Sequence, residues 1–361
     1  MERPKAMENV ATEPTGSGSP ALGTAETGRL RSRFTGLTDL LAMLVVLAAL
    51  IILFGLLSRH FWTWRTLQSI VNQIPDLTVI AVGMTLVLIA GGIDLSVGSV
   101  LALSGAVLGI AMTDWSWPLF PAVLVCLSVG AVCGLANGVV TVRWSIPSFI
   151  VTLGMLEVAR GAAYRVTDSQ TKYIGPTIER IATPLPGLGV SFAFLAAVVI
   201  VLAGHVLLTR TVWGRYLVAV GANEQAARFS GIGTRRIKLA TFVLSGFLAA
   251  LGAVFQVARL SSADPNGGVG MELAAIAAVV IGGTSLIGGQ GSVFRSFLGV
   301  LIVATLQTGL AQVGTTEPTK RIVTGAIIVL AVIADVHRRT WTRTALAGWS
   351  RLLTGASRKG S

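Results

Sequence analysis

Charged residues are scarce in this chain, at 12 % of 361 positions, while hydrophobic residues make up 53 %. Soluble domains carry about a quarter charged residues, so a conventional water-facing domain is excluded for most of the length. Cysteine occurs twice and histidine three times. Cys126 and Cys133 lie seven positions apart on one apolar helix face, which makes neither a redox pair nor a metal site and points to packing. His60, His205 and His337 are scattered, and His205, inside an apolar run, is expected to hydrogen-bond a neighbour. No glycine-rich loop ends in Lys-Ser or Lys-Thr, so ATP is not bound by that route. There is no HExxH and no Gly-x-Ser-x-Gly elbow. The chain is therefore not read as an enzyme, and no cofactor or metal is expected.

What it has instead is apolar length, with a mean hydropathy of +0.76 and 42 glycines. Small residues let helices in a bilayer approach closely. The expected fold is an all-α polytopic membrane protein of ten spans, near 38–57, 74–90, 95–112, 119–140, 147–166, 190–208, 238–257, 271–287, 293–311 and 321–336. Residues 1–36 read as a disordered tail, 37–336 as the transmembrane domain, and 337–361 as a basic tail. Ala345, Leu346, Trp349, Leu352 and Leu353 share one helical face of that second tail, which reads either as a helix lying on a membrane surface or as a partly disordered basic tail. Placing both termini in the cytoplasm puts 19 of the 28 Lys and Arg on that side, as the positive-inside rule requires. The net charge of +12 is thus orientation information, and nucleic acid is not an expected partner. The tryptophans fall at span ends or beyond them, as an aromatic belt does.

The stretch Gly83–Ala106, GMTLVLIAGGIDLSVGSVLALSGA, organises the rest. An apolar run is interrupted at Gly91-Gly92, and a second begins at Val97. Asp94 stands where a side-chain oxygen meets the free N–H groups of the next helix. It reads either as an N-cap or as a polar group lining a solute path at a broken helix. Ser96, Ser99, Asn137 and Thr284 are the other path candidates, being small or polar groups at breaks and in span interiors. Gly282–Val293 repeats the pattern of Gly91–Val100, a glycine pair followed by Gly-Ser-Val, which hints at internal repetition.

Two connecting loops are long. The outer one, 167–189, is polar. The inner one, 209–236, contains Asn223 as an N-cap, Glu224 in the first turn and Gly231 as terminator, so 223–230 is expected to be a short helix. It reads either as a helix resting on the lipid surface or as a docking element for a partner.

Three stretches resemble the ribose-type permeases of bacterial ATP-binding-cassette sugar importers: Gly83–Ala106, Gly214–Ile232 (GRYLVAVGANEQAARFSGI) and Gly270–Gly291 (GMELAAIAAVVIGGTSLIGGQG). The likeness extends over nearly all of 40–336. It implies a permease subunit of the bacterial inner membrane that moves a ribose-like pentose or related sugar. Its implied partners are a second copy of the chain, a cytoplasmic ATPase and an extracytoplasmic sugar-binding protein. It also implies that Gly214, Gly221, Asn223, Glu224, Ala226, Ala227 and Gly231 belong to the loop that meets the ATPase. Members of that family often carry an acid where Ala274 stands, so the likeness does not fix the sugar; a nucleoside is an alternative solute. Ion-coupled transport is the rival mechanism, and it would need acids at bilayer depth that cycle protons. The candidates are Asp94, Glu157 and Glu272. Asp94 and Glu272 fit helix starts, and Glu157 has Arg160 three residues on, close enough to pair.

Overall fold

A computed structural model describes residues 23–333, apart from 317, 328, 331 and 332. The long helices follow the apolar runs. They are α1 Gly23–Leu57, α3 Pro75–Ile89, α4 Val97–Thr113, α5 Leu119–Trp144, α6 Ser148–Thr167, α8 Phe192–Arg210, α11 Thr234–Leu260, α12 Met271–Ile281 and α13 Val293–Gln312. Residues 318–327 are also helical. Between these lie α2 Trp64–Gln73, α7 Pro176–Glu179, α9 Val212–Ala222 and α10 Glu224–Phe229. The strands β1 Lys172–Tyr173 and β2 Ser262–Ala263 pair antiparallel. Leu41 closes the first of two units and Ala42 opens the second.

Among the described residues, α1, α5, α8, α11 and α13 are each long and apolar enough to cross a membrane. A sixth span arises if α2 and α3, bent by 46° at their junction, count as one. The remaining expected spans fall on shorter or more polar helices. α12 stops at Ile281 rather than near 287, because two glycines follow it. α1 reaches back to Gly23, so 23–36 is helical where a disordered tail was expected. The rest of that tail, and both the basic tail and its amphipathic face, lie outside the described residues.

The core is built on α3, which is buried along its whole length. After Asp76 its sequence is apolar on every side but for Thr78 and Thr85, the pattern of a helix surrounded by others. α11 packs against α3, α4 and α5. The α5–α11 contact is a seam of small residues. A Cβ at Gly130 would lie 2.3 Å from the Gly246 carbonyl oxygen, and one at Gly134 2.2 Å from that of Phe242. Close backbone approach at this small-xxx-small spacing supplies van der Waals contact where lipid gives no hydrophobic drive.

Ion pairs fix the ends. Arg259 on α11 donates to Asp76 Oδ2 at 2.9 Å, and that carboxylate is almost wholly buried. Lys172 of β1 reaches Asp114, at the end of α4, at 2.8 Å. The hydrogen bonds from Lys172 and then Thr113 hold the Asp114 carboxyl below the usual carboxylate range.

Two local expectations are corrected. Glu157 is exposed and makes no ion pair among the described residues. Arg160 instead donates to the carbonyls of Pro265 and Gly267 at 2.7 and 2.9 Å, because a loop rich in free carbonyls lies within its reach. His205 Nδ1 is buried without a hydrogen-bond partner among the described residues.

Candidate functional site

The two glycine breaks have the same construction. After α3, Gly91 N donates to Leu88 O and Gly92 N to Val87 O, both at 2.9 Å. After α12, Gly283 N donates to Val280 O at 2.8 Å and Thr284 N to Val279 O at 3.1 Å. Gly91 has φ +78° and Gly283 φ +75°, left-handed values that a residue with a Cβ adopts only at a cost. Each break is thus a glycine-terminated helix end, and the hinted repetition is present in the backbone. It aligns Gly91 with Gly283, one position off the match of glycine pairs in sequence.

Around the first break, Asp94 is buried and holds a chain of polar groups. Its Oδ1 accepts from the Ser96 amide at 3.0 Å and the Ser96 hydroxyl at 2.6 Å. Its Oδ2 accepts from the Ser245 hydroxyl on α11 at 2.8 Å. Asn137 Nδ2 on α5 donates to Ser96 Oγ at 2.9 Å, while Asn137 Oδ1 has no partner among the described residues. The carboxyl therefore meets the backbone just ahead of α4, and it also ties that turn to α5 and α11. On the other side, Ser148 and Thr152 of α6 accept from the amides of Ile93 and Leu95. Ser99 is buried on α4 outside this network. Thr284 belongs to another network: its hydroxyl is 3.5 Å from that of Ser296, which is 2.8 Å from Thr85. The structure brings together Asp94, Ser96 and Asn137, and not the other two.

The inner loop folds as two helices rather than one. Asn223 caps α10, accepting from the Ala226 amide at 2.9 Å, and Gly231 follows it at φ +80°. Glu224 pairs with Lys238 of α11. Gly214 is buried in the first turn of α9. Of the two adjacent alanines, Ala226 is exposed and Ala227 is buried within the chain's own core. Phe229 beside them is 91 % exposed, a side chain that sequence reading missed.

The end of α9 meets both breaks at one point. Gly289 N donates to Ile89 O at 2.9 Å. A Cβ on Gly221 would stand 1.7 Å from Ile89 O and 2.7 Å from Gly289 N. One on Gly288 would stand 2.8 Å from Gly221 O and 2.9 Å from the Gly91 Cα. Four glycines thus let three backbone segments touch with no side chain between them. Beside this junction opens a cleft of about 270 Å³ with Gly91, Ser148, Glu224, Arg228 and Lys238 in its wall.

Among the described residues, Asp76, Asp94 and Glu272 are each met by a donor, while Glu157 is exposed and makes no ion pair. Asp76, overlooked in the sequence because it sits at a helix start, pairs with Arg259. Asp94 is satisfied by three donors, and Glu272 accepts from the Gly270 amide at 3.2 Å. Among the described residues no group of His, Cys, Asp and Glu could hold a metal.

Comparison with known proteins agrees with this construction. The family described as branched-chain amino acid transport system, permease component, matches residues 66–332. The ribose import permease protein of Escherichia coli strain K12 is 39 % identical over 296 residues, 81 % of this chain and 92 % of that one. The fructose import permease protein of Rhizobium meliloti is 34 % identical, covering 81 % of this chain and 84 % of its own. The L-arabinose transporter permease protein of Azospirillum brasilense is 35 % identical, covering 82 % and 88 %. With its paired breaks, its buried α3 and a match running from α2 to the end of the described helices, the chain belongs to this family of transport-system permeases.

Proposed function

We propose that the chain is the membrane-spanning permease subunit of an ATP-binding-cassette importer that carries a monosaccharide into the cytoplasm. It works as a homodimer, with a separate ATPase on the α10 face and a sugar-binding protein on the opposite face. The observation that carries this reading is the glycine junction, where the α9–α10 segment touches the backbone of both helix breaks. A push on α10 from outside the bundle is then delivered to the two places where the core helices are interrupted. Ala226 and Phe229, two of the solvent-facing residues of α10, are the apolar part of the surface such a partner meets. α10 and the segments on either side of it are rich in Arg and Lys, namely Arg210, Arg215, Arg228, Arg235, Arg236 and Lys238. This charge excess supports a cytoplasmic placement of this face and is the ground for proposing both termini there as well. Asp94, Ser96, Ser99, Asn137 and Thr284 enter as the packed lining beside the breaks, facing the path when the helices part.

The named relatives are described as import permeases for ribose and fructose and a transporter permease for L-arabinose, all neutral sugars, whereas the family's description names amino acids. Uptake separates these. In proteoliposomes holding the chain with its ATPase and binding protein, a panel of labelled monosaccharides and leucine is offered. One of the monosaccharides accumulates and leucine does not. Accumulation of leucine without any sugar would overturn the substrate class.

A further inference from the structure

At the end of the bundle away from α10, two cavities of about 640 and 360 Å³ share Gln73, Val269, Gly270, Ala274, Gln307 and Arg321 in their walls. They are two chambers of one cleft, of the size typical of small-molecule sites (roughly 300–1,000 Å³). It lies among the end of α2, the starts of α3 and α12, the end of α13 and the helical stretch 318–327. None of the buried path candidates lines it.

The chemistry of the wall is unusual for a bundle end, because it is rich in side-chain amides with spare hydrogen-bonding capacity. Gln73 and Gln307 form no hydrogen bond within the described residues. Gln256 has only the weak thioether acceptor of Met271, at 3.5 Å. Thr308 carries a buried hydroxyl without a partner among the described residues. Gln73 is exposed and Gln256 and Gln307 are half-buried, so water meets these amides until a solute takes its place, while the buried Thr308 hydroxyl is the group that gains most from a partner. In the inner chamber Asp76 and Arg259 neutralise each other, while Arg321 stands in the shared wall and Lys320 in the outer chamber. The rim is held in place from α6, where Arg160 grips the carbonyls of Pro265 and Gly267 and Tyr164 bonds Asn266 at 2.7 Å.

We infer that this cleft is a low-affinity resting site for a neutral, hydroxyl-rich solute before it reaches the breaks. Amide groups offer both donors and acceptors, which suits a polyol whose hydroxyls do both. Arg321 at the shared wall leaves the outer chamber open to a test of charge preference. The inference rests on the monosaccharide reading and names where the sugar first binds within this chain.

The test uses the full complex in proteoliposomes, with Cys126→Ala and Cys133→Ala as background and Gln307→Cys as the probe. A polar thiol reagent is added from the side opposite α10, with the transported sugar, a sugar acid or leucine as competitor. The transported sugar is expected to suppress labelling, while leucine and the sugar acid leave it unchanged. In a second arm, Gln73→Leu with Gln307→Leu raises KM for uptake about tenfold, the loss of one or two hydrogen bonds. Thermal melting in the absence of sugar stays as in the unmodified complex, and Gln307→Asn beside native Gln73 recovers part of the affinity. Uptake that proceeds normally while labelling and KM are unmoved overturns the site and leaves the transport reading standing. Protection by the sugar acid alone overturns the neutral class. Failure of the unmodified complex to move any sugar overturns the transport reading, and the site with it.

Discussion

A carboxyl group taken out of water is tolerated where donors meet it, and Asp94 meets three. An asparagine keeps an acceptor for Ser96, and the Ser245 hydroxyl can turn to accept from the new amide. An alanine strands the Ser96 and Ser245 donors at about 1–3 kcal/mol for each buried group left unpaired. Asp94→Asn is therefore expected to melt in detergent close to the native chain, and Asp94→Ala several degrees lower, by the usual relation of stability to Tm. Equal melting of both variants with the native protein would show that the network contributes nothing to the fold. The position of Asp94 was legible in the sequence because a glycine pair and an acid ahead of an apolar run mark a helix end and start. Its long-range partner was not, since Ser245 lies 151 residues away. Asp76 was missed for the related reason that its partner, Arg259, is 183 residues away. Nothing local distinguishes it from an ordinary first-turn acid.

Among elements, α10 shows how a correct boundary can hide a wrong surface. Asn223 and Gly231 marked its ends because capping and left-handed turns are local chemistry. Which alanine faces outward depends on packing against α9 and α11, and the burial of Ala227 removes it from any docking surface. Ala227→Trp would thus disrupt the chain's own core. Ala226→Trp is the informative change, expected to leave Tm unchanged while the ATPase no longer co-purifies. Gly221→Ala should do the reverse of a surface change, lowering Tm and yield, because its Cβ meets backbone rather than a movable side chain. Retention of the ATPase by Ala226→Trp would place the docking surface elsewhere. α2 was not expected at all. Its sequence WRTLQSIVNQ is polar for a bilayer and reads as a connector, yet Thr63 caps it and Ile70 and Thr66 bury one face.

For the whole molecule, the apolar runs located most of the long helices within a few residues, because bilayer length and glycine breaks are written in composition. How those helices gather was not written there. The glycine spacing of α5 is visible in sequence, but its partner α11 emerges only in the packed bundle. The three-way contact of Gly91, Gly221, Gly288 and Gly289 joins segments nearly two hundred residues apart. That contact underlies the central claim, that energy enters through α10 from a separate ATPase and not through an acid in the membrane. The direct measurement is sugar accumulation in proteoliposomes containing the chain, its ATPase and its binding protein, with ATP on the ATPase side and a protonophore present. The account predicts uptake that needs ATP and all the partners and continues when the proton gradient is collapsed. Uptake by the purified chain alone, driven by an imposed pH gradient without ATP, would contradict it.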